Sequence, residues 1–166
     1  MMRRGRRVRG GGLSLRSGRV RIVTTDPGGA VVYDSGWRPN VTTVYAAATV
    51  AGWMTGRNNT GYNPAPPPNM MELGTGSGTP SDTDTGLFAP VAATLQQVST
   101  MGQENGSPQT AQWVCQYYGT ANNAGTYTEV GLFDTNGNMW GHLMESITLT
   151  SGLSTTITWQ KPCSTS

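Results

Sequence analysis

Tyr127-Thr128-Glu129-Val130-Gly131-Leu132-Phe133-Asp134-Thr135-Asn136-Gly137-Asn138-Met139-Trp140 is the stretch that decides the fold class. Tyr127, Val130, Leu132, Phe133 and Trp140 favour strand, and Asn136-Gly137 is a short-range turn signal. The pair reads as a type I′ hairpin turn, which needs positive φ at both central residues. Residues 142–149 and 154–160 also read as strands. The C-terminal third is therefore expected to be an antiparallel meander.

Working backwards, residues 109–119 form an aromatic-rich strand, and residues 102–108 and 120–125 read as loops. Residues 87–101 fit either a strand or a short helix. Residues 70–73 are a short apolar strand. Residues 19–25 alternate polar and apolar, as in a half-buried strand. Asp26-Pro27-Gly28-Gly29 turns the chain, because proline presets φ and glycine accepts positive φ. Ala30 to Tyr33 then returns, completing an N-terminal hairpin. Residues 41–54 are the one good helix candidate, capped by Asn40, with Val44, Tyr45, Ala48 and Ala51 on one face. Residues 57–69 carry Pro64, Pro66, Pro67 and Pro68 and read as an extended connector with polyproline II character.

At 166 residues the chain reads as one domain with an arm. The division is residues 1–18 as a flexible basic arm and 19–166 as the domain. A chain this long buries roughly 70% of its unfolded surface, so neither metal nor disulfide is needed for folding. Only 12% of residues are charged and 23 are glycine. The expected class is mainly β: an antiparallel, jelly-roll-like β-sandwich with one short helix and an extended basic N-terminal arm.

Charge is segregated. Residues 1–21 hold eight arginines and no acid, and the remainder holds three cations against nine acids. A basic arm on an acidic body is an interaction device. Arg3, Arg4, Arg6, Arg7, Arg9 and Arg16 are the candidate docking residues. No apolar segment after them has the length of a secretory signal, and no apolar run is long enough to span a membrane. Cys115 and Cys163 both fall near strands, and their pairing is left open.

Several chemical readings are weaker than their structural alternatives. Gly74, Gly76 and Gly78 invite a phosphate-loop reading, but no Lys-Ser/Thr follows and the spacing is not GxGxxG. Asp82 and Asp84 read as turn formers ahead of a hard-cation site. Asp134, Asn136, Asn138 and Glu145 alternate like calcium-loop ligands, yet Met139 stands where such a loop needs glycine. His142, the sole histidine, makes no zinc site with two dispersed cysteines, and a Cys115–His142 nucleophile–base pair lacks an activating environment. Glu129 needs a partner, either Arg38 or a backbone amide. A glycosidase needs a second carboxylate about 5–10 Å away, and none can be assigned. Trp53, Trp113 and Trp140 could form a sugar platform but fit a core better. No catalytic or cofactor-binding set emerges, so the expectation is a non-enzyme without cofactors.

Three ordered segments carry a resemblance. They are Trp37-Arg38-Pro39-Asn40-Val41, then Gly74-Thr75-Gly76 through Ser81-Asp82-Thr83-Asp84-Thr85-Gly86-Leu87, then Gly125 to Phe133 followed by the Thr-rich run to Trp159. Together they resemble small virion proteins of tailed bacteriophages, of tail-fibre, head-fibre or decoration type, over roughly residues 19–160. The resemblance implies a β-sandwich located in the virion, commonly a homotrimer. The function expected is a structural component docked on the particle through its N-terminal arm, with copies of itself and other virion proteins as partners. A capsid cement protein is the close alternative. A nucleic-acid-binding module using the arginine arm is a further alternative, and nucleic acid and membrane are not the expected partners.

Overall fold

The computed structural model describes residues 13–15, 18–55 and 66–165. The candidate docking residues Arg3, Arg4, Arg6, Arg7, Arg9 and Arg16, and most of the proline-rich segment, lie outside the described residues.

Alternation of apolar and polar residues produces strands that bury one face, and two such sheets close on each other. The first sheet has the order β3-β2-β11-β8-β7. Its strands are β2 (Arg19–Thr25), β3 (Val31–Pro39), β7 (Thr100–Glu104), β8 (Ser107–Tyr118) and β11 (Ser154–Thr165), and β1 (Leu13–Leu15) pairs with the end of β11. The second sheet has the order β4-β10-β9-β5-β6. Its strands are β4 (Val41–Thr42), β5 (Met70–Gly74), β6 (Gln96–Gln97), β9 (Gly125–Phe133) and β10 (Met139–Leu149). Every pairing is antiparallel. Val20, Ile22, Trp113, Cys115, Tyr117, Ile157 and Trp159 of one sheet meet Met71, Leu73, Val130, Leu132, Trp140, Leu143 and Ile147 of the other in one core. The antiparallel sandwich expected from the patterning is what forms.

Four local readings change. First, β9 and β10 form the expected hairpin, but β11 leaves that sheet to pair between β2 and β8, so the meander stops at two strands. Crossing to the other sheet lets Ile157 and Trp159 face the core from the opposite side.

Second, the turn at Asn136-Gly137 is not type I′. Gly137 has φ 81° and no described non-glycine residue has positive φ. The Gly137 N–H donates to the Asp134 carbonyl and the Asp134 N–H to Asn138, so Thr135-Asn136 is a type I turn closed by a glycine bulge.

Third, the segment 102–108 is no loop. β7 and β8 meet there, with Gly106 at φ 81° in the turn. Fourth, the helix α1 runs Val44–Thr55 rather than 41–54. The β-branched Val41 and Thr42 pair with β10 instead. Thr43, not Asn40, caps the helix: its Oγ1 accepts from the Ala46 N–H at 3.2 Å and donates to the Met139 carbonyl.

The undecided stretch 87–101 contains neither long element. It holds a 3-10 turn (Ala92–Thr94), β6 and the start of β7. Cys115 is a free, buried thiol opposite Ile157. Cys163 lies six residues further along β11, roughly 20 Å away, which is beyond the reach of a disulfide.

Candidate functional site

The outer face of the β5–β9–β10 sheet is covered by the loop 75–90, which follows β5. Strand alternation turns Val130 and Leu132 of β9 inward, and Glu129 and Phe133 outward, under this loop. Leu87 of the loop packs with Phe133 and Met139 in a small second core. The β9 and β10 register then sets Glu129 near His142, and both side chains are fully buried.

Three titratable groups from three elements meet there. His142 Nδ1 lies 2.7 Å from Asp84 Oδ2, and its Nε2 lies 2.9 Å from Glu129 Oε2. Phe88 covers the imidazole at a ring separation of 5.0 Å. Glu129 also accepts the backbone N–H groups of Gly76 and Ala89 on Oε1, at 2.9 and 2.8 Å, and of Phe88 on Oε2, at 3.0 Å. Burial pushes the Glu129 carboxyl up. The amides of Ala89, Phe88 and Gly76 together with His142 outweigh it and hold the group below the usual glutamate range. Glu72, on the neighbouring β5, is raised by its own burial and by the charge of Glu129.

This geometry explains the glycine run. A Cβ at Gly74 would collide with Glu129 Oε1 and the Ala89 carbonyl, and one at Gly76 would sit 2.5 Å from Glu129 Oε1. A Cβ at Gly78 would meet the Phe88 ring. The loop does wrap backbone amides around an anion, and that anion is the chain's own carboxylate. The sequence signal that could have located it was the pairing of a buried-strand glutamate with a glycine run unable to serve a nucleotide.

Each ring nitrogen faces a carboxylate oxygen, so the cluster ties β9, β10 and the loop 75–90 together. Cys115 stands in the inter-sheet core, hydrogen-bonded by Gln96, and burial pushes its thiol up, so the Cys115–His142 pair does not exist. Among the described residues no group of three or more His, Cys, Asp or Glu is arranged to hold a metal ion. Asp84 accepts the Ser81 N–H as a turn former does, and also reaches His142, a contact the sequence did not suggest. Asp134 is filled by Tyr45, Asn138 and the Asn136 and Asn138 amides, and Glu145 pairs with Arg38 at 3.2 Å, which dissolves the calcium-like spacing. Glu129 thus takes backbone amides, not Arg38. Trp113 and Trp140 are core residues and only Trp53 is exposed, stacked on Trp140, so no sugar platform is built from the three.

Phe88 over this site, Leu95, Met101 and Tyr118 are exposed apolar residues, and two further groups lie on β3 and α1. β3 is an edge strand and exposes Val31, Val32, Tyr33 and Trp37. Helix α1 has no charged residue in its 12 positions and exposes Val44, Trp53 and Met54. Arg19 and Arg21, the first described arginines, are engaged: Arg19 lies over Trp37 and bonds Gln160, and Arg21 pairs with Asp34. Comparisons with protein-family models, with curated proteins and with solved structures find no match for this chain.

Proposed function

We propose that this chain is a non-enzymatic structural component of a tailed-phage virion, an appendage, fibre-type or decoration module that acts as a homotrimer and docks through its arginine-rich N-terminal arm. The observation that carries the reading is the placement of exposed apolar side chains. Seven of the eleven exposed large apolar side chains among the described residues lie on the edge strand β3 and on the uncharged helix α1, both of which a neighbouring copy can cover. The resemblance in the segments 37–41, 74–87 and 125–159 supplies the virion context. The last two of these segments meet in the structure, where Glu129 takes the amide of Gly76. An arm of guanidinium groups suits carboxylates on a neighbouring virion protein, because each fork can pair bidentately.

Light scattering on the full-length chain at low and high salt tests the assembly. A mass of three chains that survives high salt is expected, since apolar contacts are not screened. A monomer under both conditions overturns the trimer. Deleting residues 1–18 tests the docking: the truncated chain should keep its oligomeric mass and lose incorporation into particles, and normal incorporation overturns the role of the arm. A capsid cement protein is separated from a tail component by where on the particle the chain is found.

A further inference from the structure

A carboxylate only accepts hydrogen bonds, and a neutral imidazole owns a single N–H. His142 nevertheless presents both nitrogens to carboxylate oxygens. With both carboxylates ionised, the cluster closes only while the ring carries two protons. Once one leaves, a ring lone pair faces a carboxylate at hydrogen-bond distance, and that contact has to open. We propose that Asp84, His142 and Glu129 form a proton-controlled latch that holds the tip of the loop 75–90 on the sheet and, through it, the first turn of α1.

The geometry selects the contact that opens. Glu129 is fully buried and keeps three amide donors whatever the ring does. The Asp84 side chain reaches solvent, with 14% of its surface exposed, so water can replace the imidazole there. Asp84 also belongs to a unit that moves together: its N–H donates to the Ser81 carbonyl, and its Oδ2 accepts the Ser81 N–H. The neighbouring Asp82 carbonyl accepts the Val44 N–H at 2.7 Å, which satisfies one of the orphan amides at the start of α1. Loss of the ring proton therefore frees residues 81–86 and uncaps Val44, while the base of the loop stays on Glu129.

Asp84 from the loop and Glu129 from β9 face the ring, and Glu72 on β5 lies within reach of the Glu129 charge. On β10 itself Glu145 is taken by Arg38, and beside β4 the Lys161 ammonium donates to Thr42 Oγ1. This inference is independent of the virion reading.

The chain has one histidine, so the ring reports on the latch without ambiguity. The experiment measures ring ¹⁵N shifts and amide exchange of the full chain from about pH 5 to about pH 10, with exchange corrected for base catalysis. The expected result is a doubly protonated ring at the acid end. When it loses a proton, the amide of Val44 should exchange roughly ten- to a hundredfold faster, while Gly76, Phe88 and Ala89 keep their protection. In Asp84→Asn the ring should lose its second proton at lower pH, and Val44 exchange should no longer step with it. A singly protonated ring across the range, unchanged protection of Val44 through the ring's titration, equal opening of tip and base, or Asp84→Asn stepping like the parent would each overturn the latch.

Discussion

Glu129 shows how one side chain organises a surface. It is a carboxylate at zero exposure, made tolerable by three amides and an imidazole. Glu129→Gln replaces one acceptor oxygen with a donor facing either an amide or the ring, and should cost about 3 kcal/mol in urea unfolding. Gly76→Ala should also destabilise, because its Cβ would press on Glu129, on Phe88 Cβ and on the Ala89 amide nitrogen, 2.9 Å away. Glu129 has a depressed native pKa, so its contribution is present above the usual glutamate value and is lost as pH falls through the native one. Acid titration of stability should accordingly show the parent losing more than Glu129→Gln below about pH 4. A parent curve parallel to that of the variant would remove Glu129 from the acid response. Asp34, held at about 2 by Arg21 and by the Gly36 amide, is solvent-exposed and should contribute little.

At the scale of elements, two side chains decide where regular structure bends or begins. The register of β2 against β3 slips between Arg21 and Val23, leaving the Ile22 N–H without its strand partner, and Ser35 Oγ accepts it at 2.9 Å. Ser35→Ala should cost about 1–3 kcal/mol by leaving that buried amide unpaired. Thr43→Ala removes the cap of α1 and the bond to the Met139 carbonyl, and should cost at least about 1 kcal/mol by thermal melting. An unchanged melting temperature would mean that packing alone holds the first turn of the helix. The hairpin turns at Asp26, Gly106 and Gly137 share one device, a glycine with φ between 81° and 85°, which lets ordinary residues occupy the rest of each turn.

For the whole molecule, the inner faces of both sheets are consumed by one core, and the outer face of the β5–β9–β10 sheet is covered by the loop 75–90. The remaining apolar surface on β3 and α1 is where assembly is expected. Val31→Lys and Met54→Lys change residues that are 61% and 60% exposed, so the fold should persist while the light-scattering mass falls to a monomer. A trimer that survives both substitutions would place the interface on another face. Cys115 should resist thiol reagents in the native chain and react on unfolding, since burial keeps its thiol protonated.

The sequence by itself determined the class of fold. Alternation in residues 19–25 and 109–119, and the turn chemistry of Asp26-Pro27-Gly28-Gly29, follow from local sterics and a two-residue period that need no knowledge of distant partners. The glycine run with no Lys-Ser/Thr after it read against a phosphate loop, and its Gly76 amide goes to Glu129. Only the tertiary structure decided which sheet receives β11, that Val41 and Thr42 pair as strand instead of starting a helix, and that Asp84, Glu129 and His142 meet. Those outcomes depend on contacts between residues 13 to 141 positions apart, and no local propensity encodes such distances. The buried carboxylate is the clearest case: its chain neighbours are ordinary strand formers, and the amides that make its burial tolerable come from a loop about 40 to 53 residues earlier.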